Sequence, residues 1–423
     1  MRSAIAGAVV LTLALGACSS DPGSDGGNTA DGAASIRVQV SGEPEETAVY
    51  TTIAEAFMDE HPEIDVDVVE VAEKDDHLAR LTTSFAGGNP PDVFLVNFRE
   101  YSQFVVRDAI EPIEDHLGNV STADYYPQPL EAFTYDGTLQ CMPQNISSLV
   151  VYYNNLLFKG AGLKHPKSWS WEEFRETALV LTKGDVRGLG IEPTIIRLAP
   201  FVWSAGGEIV DDPEEPSGLD LDNPGAREAL EFVISLVRDD GVVPTAEEVA
   251  AQDLETRFVT GKLGMLLSSR RDVPAFREVA GFDFDVAPLP LADEPAGILH
   301  SDAYCMSAGS ESIDAAAEFV RFATGEQGET FGALSGRTVP SLVSVAGSGA
   351  FLDPLQPPRH SRVFLDAIPN IRRTPVLPTW PEIEDVAEQV LIRAFYEEGY
   401  TIDDAIRDLD NETRQLFDEA LSG

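Results

Sequence analysis

Between Ile36 and Val96 the apolar pattern switches repeatedly between two periods, and this alternation restricts the fold more than any other feature of the chain. Ile36, Val38 and Val40 alternate with polar residues, the period-two signature of a strand. Tyr50, Ile53, Ala54, Phe57 and Met58 then recur at helical spacing until His61-Pro62 stops them. Val66, Val68 and Val71 suggest a second strand, and Leu78, Leu81 and Phe85 a second helix closed by Gly87-Gly88. Asn89-Pro90-Pro91 breaks the chain before Asp92-Val93-Phe94-Leu95-Val96, a continuous apolar run of the buried, parallel kind. A βαβαβ series of this sort makes a doubly wound α/β lobe, which binds ligands at the carboxyl ends of its strands. Here those ends are Ser41-Gly42-Glu43 and Asn97-Phe98-Arg99.

The alternation continues. Leu149 to Tyr153 reads as a strand, and Ser170-Trp171-Glu172-Glu173 as a capping box that starts a helix. Ala226 to Val237 is an amphipathic helix entered through Asn223-Pro224. Phe258 to Leu267 reads as a helix end, Gly261-Lys262 and a strand; Phe282 to Val286 is a further strand. Ala315 to Ala323 and Ile383 to Leu421 are helical. The chain of 423 residues exceeds what one core usually supports, so two lobes are expected.

The N-terminus carries a second signal. Arg2 is followed by an apolar run from Ala4 to Leu15 and by Leu15-Gly16-Ala17-Cys18. The run is about a dozen residues, short of the roughly 20 a spanning helix needs, so it reads as a secretory signal. Ser19 to Ser35, rich in Gly, Ser, Asp and Asn, buries too little to fold and reads as a flexible leash, with order beginning near Ile36.

Composition and motifs exclude several classes. With 72 acidic against 29 basic residues, a net charge of -43, the surface repels nucleic acid and anionic lipid. There is no Gly-x-Ser-x-Gly elbow, no phosphate loop and no dinucleotide fingerprint. The six His are scattered, and no metal or cofactor is expected. Asp220, Asp222, Gly225 and Glu231 match positions of a calcium loop, but Pro224 stands where a side-chain oxygen is needed, so the segment reads as a turn entering a helix.

Several segments in order resemble the extracellular solute-binding proteins of ABC importers, the family 1 group that includes maltose-binding protein. They are Ala86-Gly87-Gly88-Asn89-Pro90-Pro91-Asp92-Val93-Phe94, Tyr135-Asp136-Gly137, Leu149 to Asn154, Trp169 to Phe174, Trp203 to Glu208, Phe258 to Met265 and Gly336-Arg337-Thr338-Val339-Pro340. Leu15 to Cys18 resembles the bacterial lipobox, in which the cysteine is lipidated and becomes the first mature residue. The resemblance implies a two-lobed periplasmic-binding-protein fold of type II, each lobe a doubly wound α/β sheet, joined by crossover hinge strands. The expected division is a signal peptide at 1–17, a lipidated linker at 18–35, one lobe at 36–144 and 302–352, and the other at 145–301 and 353–423. Crossings are expected near Gln144–Ser148, His300–Tyr304 and Phe351–Pro357.

The same resemblance assigns Glu43, Asn97, Phe98, Arg99, Asn145, Ser147, Trp203, Arg270, Arg271, His300, Asp302, Tyr304, Arg337 and Trp380 to the ligand cleft. Arg270 and Arg271 stand where many sugar-binding relatives carry Trp. Trp169 and Trp171 read as packing and helix entry. With Cys18 lipidated, Cys141 and Cys305 remain; the resemblance makes their strands neighbours, and either a disulfide or two inert buried thiols fits. The implied protein is no enzyme. It is a monomeric lipoprotein held outside the cell membrane by its lipid alone. It captures a carbohydrate, an amino or phosphorylated sugar included, and delivers it to the transmembrane subunits of an ABC permease. A glycerophosphodiester or other polar anion is the alternative ligand. A secreted carbohydrate-active enzyme is the alternative from another class.

Overall fold

Ile36, Val38 and Val40 are buried as the alternation requires, but so is Gln39 on the opposite face. The reason is a neighbour: His77, from the helix Lys74–Ala86, covers Gln39 and bonds its amide. The computed structural model describes residues 34–42 and 44–422. The signal, the linker, Cys18 and Glu43 therefore lie outside the described residues. The first strand, Ala34–Ser41, begins two residues before Ile36.

The βαβαβ series forms as expected, with the helices Pro44–Glu60 and Lys74–Ala86 between the strands Ala34–Ser41, Ile64–Val71 and Val93–Asn97. The first strand lies between the other two, parallel to both. The outer side of Val93–Asn97 pairs with Asp302–Ser307, a strand that enters from far along the chain and runs antiparallel. Ile110–Glu111 and Met142–Pro143 complete a mixed sheet. A second sheet has the order Phe284–Ala287, Val150–Asn154, Leu263–Ser268, Arg187–Gly190. Only its last pair is parallel, and every residue of Leu263–Ser268 is buried.

Caps and close approaches anchor the connections. Ser170 and Glu173 form the expected capping box. Asn223 caps the helix Pro224–Arg238 through Ala226 N, and Asp222 pairs with Arg227, so the calcium-like spacing serves helix entry. That entry packs so closely on the turn after Trp203 that a Cβ on Gly225 would stand 2.4 Å from Gly207 N. The last helical stretch is broken into Trp380–Tyr396 and Ile402–Ser422, with Gly399 at φ 80° between them.

Two segments run antiparallel from the first sheet to the second. Ser147 and His300 exchange backbone hydrogen bonds at 2.8 and 2.9 Å, and Gln144 N donates to Asp302 O. The first hydrophobic cluster centres on the first sheet, continues across one face of the second through Tyr152, Phe276 and Phe284, and takes in Phe364 and Ile368. The division expected at residue 353 is thus less sharp in the packing than in the chain. The second cluster fills the other face of the second sheet, with Trp203 and the C-terminal helices. Trp169 donates to Pro288 O, and Trp171 stacks on Phe232 with centroids 4.6 Å apart. Cys141 and Cys305, both fully buried, are joined by a disulfide with Cα atoms 4.5 Å apart. No described helix is long and apolar enough to cross a membrane.

Candidate functional site

The carboxyl ends of the parallel strands open onto a cavity of about 390 Å³. Ser41, Gly42, Asn97 and Arg99 form one wall, and Ser269, Arg270 and Arg271, just past the second sheet's central strand, form the wall opposite. Asn145, Ser147, His300 and Asp302 of the two connecting segments lie between them, and Arg337 closes one side. Arg337 follows Gly336, whose φ of 84° ends the helix Glu326–Ser335; a Cβ there would stand 2.5 Å from Arg277 Nη1.

A polar lattice holds these groups. Asp302 accepts from Asn97 Nδ2 at 2.9 Å and from Asn145 Nδ2 at 3.2 Å, and its own N–H donates to Asn145 Oδ1 at 2.7 Å. Asn97 Oδ1 caps the next helix at Arg99 N and also accepts from Arg99 Nε at 3.1 Å. Arg99 Nη1 then meets Glu384 at 2.5 Å, and Glu384 also accepts from Trp380 Nε1. Burial pushes the Glu384 carboxyl up, against the pull of Arg99. Lys74 pairs with the buried Glu100. His77 Nε2 lies 2.8 Å from Leu95 O, which can only accept, so Nδ1 takes the Gln39 amide proton and the ring is neutral.

Arg270 is the unusual member. It is 1% exposed, with Nε donating to Gly336 O at 2.9 Å and Nη1 to Ser361 Oγ at 3.1 Å. Its guanidinium lies over Phe351 and Phe364, 4.8 and 5.3 Å from the ring centroids. Such contacts contribute about 0.5–2 kcal/mol, whereas an ion taken out of water costs several kcal/mol. Among the described residues no carboxylate forms an ion pair with it and Nη2 has no partner; burial pushes its pKa down to about 9. His300 is held well below its ordinary pKa, first by burial and then by the charges of Arg99, Arg197, Arg271 and Lys74. Its Nε2 has no partner among the described residues.

Nine of the sequence-derived residues thus share one cavity: Asn97, Arg99, Asn145, Ser147, Arg270, Arg271, His300, Asp302 and Arg337. The four aromatic ones, Phe98, Trp203, Tyr304 and Trp380, do not line it. Phe98 is fully buried between the two lining residues Asn97 and Arg99. Tyr304 shares a strand face with Asp302, but two residues further on Tyr50 and Phe319 pack against it edge-on. Trp203 is 2% exposed beneath the Arg372 guanidinium. Trp380 opens the helix Trp380–Tyr396; it is fully buried, and its Nε1 donates to Glu384. Among the described residues no Phe, Tyr or Trp lines the cavity.

Sequence reasoning missed Glu73, Lys74, Glu100, Ser269 and Glu384. A signal existed for the first two. They follow the strand Ile64–Val71, so the strand-end rule that singled out Ser41 and Asn97 applies equally to them.

Residues 41–330 match the family described as bacterial extracellular solute-binding protein, and the chain belongs to that family. A protein of Brucella abortus (strain 2308) named as a binding protein is 25% identical over 384 residues, 87% of this chain and 90% of that one. The mannitol-binding protein of Pseudomonas aeruginosa is 24% identical over 65% of each chain. Among solved structures, an ABC substrate-binding protein of Listeria monocytogenes in complex with cycloalternan superposes with a TM-score of 0.82 at 21% identity, over 92% of this chain and 99% of that one. The fold is that of the maltose-binding-protein-like solute-binding proteins.

Proposed function

We propose that this chain is the substrate-binding lipoprotein of an ABC sugar importer, that it captures a carbohydrate in the cavity described above, and that it hands the sugar to a permease. One observation carries this reading. The cavity lies where strand ends of one sheet face the second sheet across two connecting segments, and its lining of amides, carboxylates, arginines and hydroxyls matches a rim of sugar hydroxyls. The names of the Pseudomonas and Listeria relatives, which bind mannitol and cycloalternan, support a carbohydrate ligand.

On this reading the lobes are 36–144 with 302–352 and 145–301 with 353–423, and they close over the solute by bending at the crossings. The nine cavity residues, with Glu43, contact it. Without an aromatic platform, affinity comes from hydrogen bonds to charged groups, each of about 1.5–3 kcal/mol. Cys18 carries the lipid, the protein works as a monomer outside the membrane, and it does no catalysis.

A thermal-shift screen over mono- and disaccharides tests this, since a ligand of the folded state raises Tm. A hit should bind in calorimetry without turnover and reduce the radius of gyration in solution scattering. Release of product from a glycan would favour the secreted enzyme, and an unchanged radius at saturation would refute closure.

A further inference from the structure

We propose that the solute carries an oxyanion, a phosphate or a carboxylate, and that Arg270 and Arg271 receive it. This rests on the carbohydrate reading and narrows its substrate class. Arg270 forms part of the cavity wall although it is 1% exposed. A guanidinium keeps its proton in proteins, and a buried charge persists when it is paired. Lys74, Arg99 and Arg271 each have a carboxylate: Glu100, Glu384 and Asp272. Arg270 has a carbonyl, a hydroxyl and two aromatic faces, which satisfy two nitrogens and leave its charge unbalanced. Its Nη2 has no partner among the described residues.

The compensating charge is therefore missing on the side of the cavity. Ser341 and Glu329 are bonded to each other elsewhere. Of the three carboxylates that line the cavity, Glu73, Glu100 and Asp302, Glu100 is taken by Lys74 and Asp302 is held by Asn97 and Asn145, and among the described residues none forms an ion pair with Arg270. His300 adds an unpartnered Nε2, and its ring feels Arg99, Arg197, Arg271 and Lys74. A neutral sugar offers donors and acceptors but no charge. An oxyanion accepts from the fork of one guanidinium and from its neighbour together. Arg271, with its side chain 56% exposed, can swing toward the solute without disturbing the core.

The test is calorimetry on the full chain with matched ligands: glucose against its phosphate ester and against glucuronate, and N-acetylglucosamine against its phosphate ester. At least one charged member should bind about tenfold or more tighter than its neutral parent, and the ester and uronate arms tell phosphate from carboxylate. Arg271→Gln should cut the ratio of charged to neutral affinity at least tenfold, whatever it costs the neutral parent in absolute affinity. Arg270→Gln should do the same; if it fails to fold, the Arg271 variant still decides. Equal or tighter binding of every neutral parent would overturn the oxyanion and leave the carbohydrate reading standing, as would an Arg271→Gln protein that keeps the full preference. No binding by any sugar, charged or neutral, would overturn both.

Discussion

Replacing Cys141 and Cys305 together by alanine should destabilise the protein by several kcal/mol while leaving the ligand cavity unchanged. The bond joins residues 164 apart, and the loop it closes contains the whole second sheet. In the chain-entropy account a loop of that length restricts the unfolded state by about 5 kcal/mol at room temperature. Both sulfurs are fully buried, so the small cavity left by each adds to the loss. Alanine is the right replacement, since serine would bury two new hydroxyls. The assay is urea unfolding of wild type, double variant and wild type under reductant. Both of the last two should fall well below the first, the double variant lower than reduced wild type by the cost of its two cavities. Calorimetry should find the same affinity in both folded proteins, because Cys305 pairs with Phe94 in the sheet interior, away from the lining residues Asp302 and Asn97. A double variant within about 1 kcal/mol of wild type would refute the reasoning, because the bond would then constrain nothing that unfolding releases.

Trp203→Ala and Trp380→Ala should each cost about 3–5 kcal/mol of stability, as for a large ring removed from a packed core, and unfolding midpoints will show it. Asn145→Asp sets a second carboxylate against Asp302 and should weaken sugar binding about tenfold to a hundredfold in calorimetry. Glu329 is buried, which pushes its carboxyl well above the ordinary range. Ser341 Oγ lies 2.6 Å from Pro143 O and 2.7 Å from Glu329, yet has one proton, so Glu329 is protonated and donates to it. The folded state then holds a proton that the unfolded state has lost, so stability falls as pH rises above the ordinary carboxylate range, up to the raised folded value. Glu329→Gln should remove that decline; denaturation series at several pH values will show two parallel curves if this is wrong.

The βαβαβ series was readable from residues alone because hydrophobic period follows from local geometry. A strand with a buried face needs alternation, and Ile36, Val38 and Val40 have it whatever lies beyond them. The polar half of the site was readable for a related reason. Asn97 and Arg99 stand directly after a buried strand, and that position fixes where they point once the sheet forms. The aromatic half was not readable. Whether Trp203, Tyr304 or Trp380 meets solvent depends on what packs over each, and Arg372, Tyr50 and the C-terminal helices come from distant parts of the chain. The buried partners were equally hidden: nothing near Arg99 announces Glu384, 285 residues away, or near Arg270 the absence of a carboxylate partner among the described residues. Local periodicity thus determined which segments fold and which strand ends open onto the cavity. Only the tertiary structure decided which side chains line it, because burial and charge compensation are properties of the groups brought together and not of any one residue.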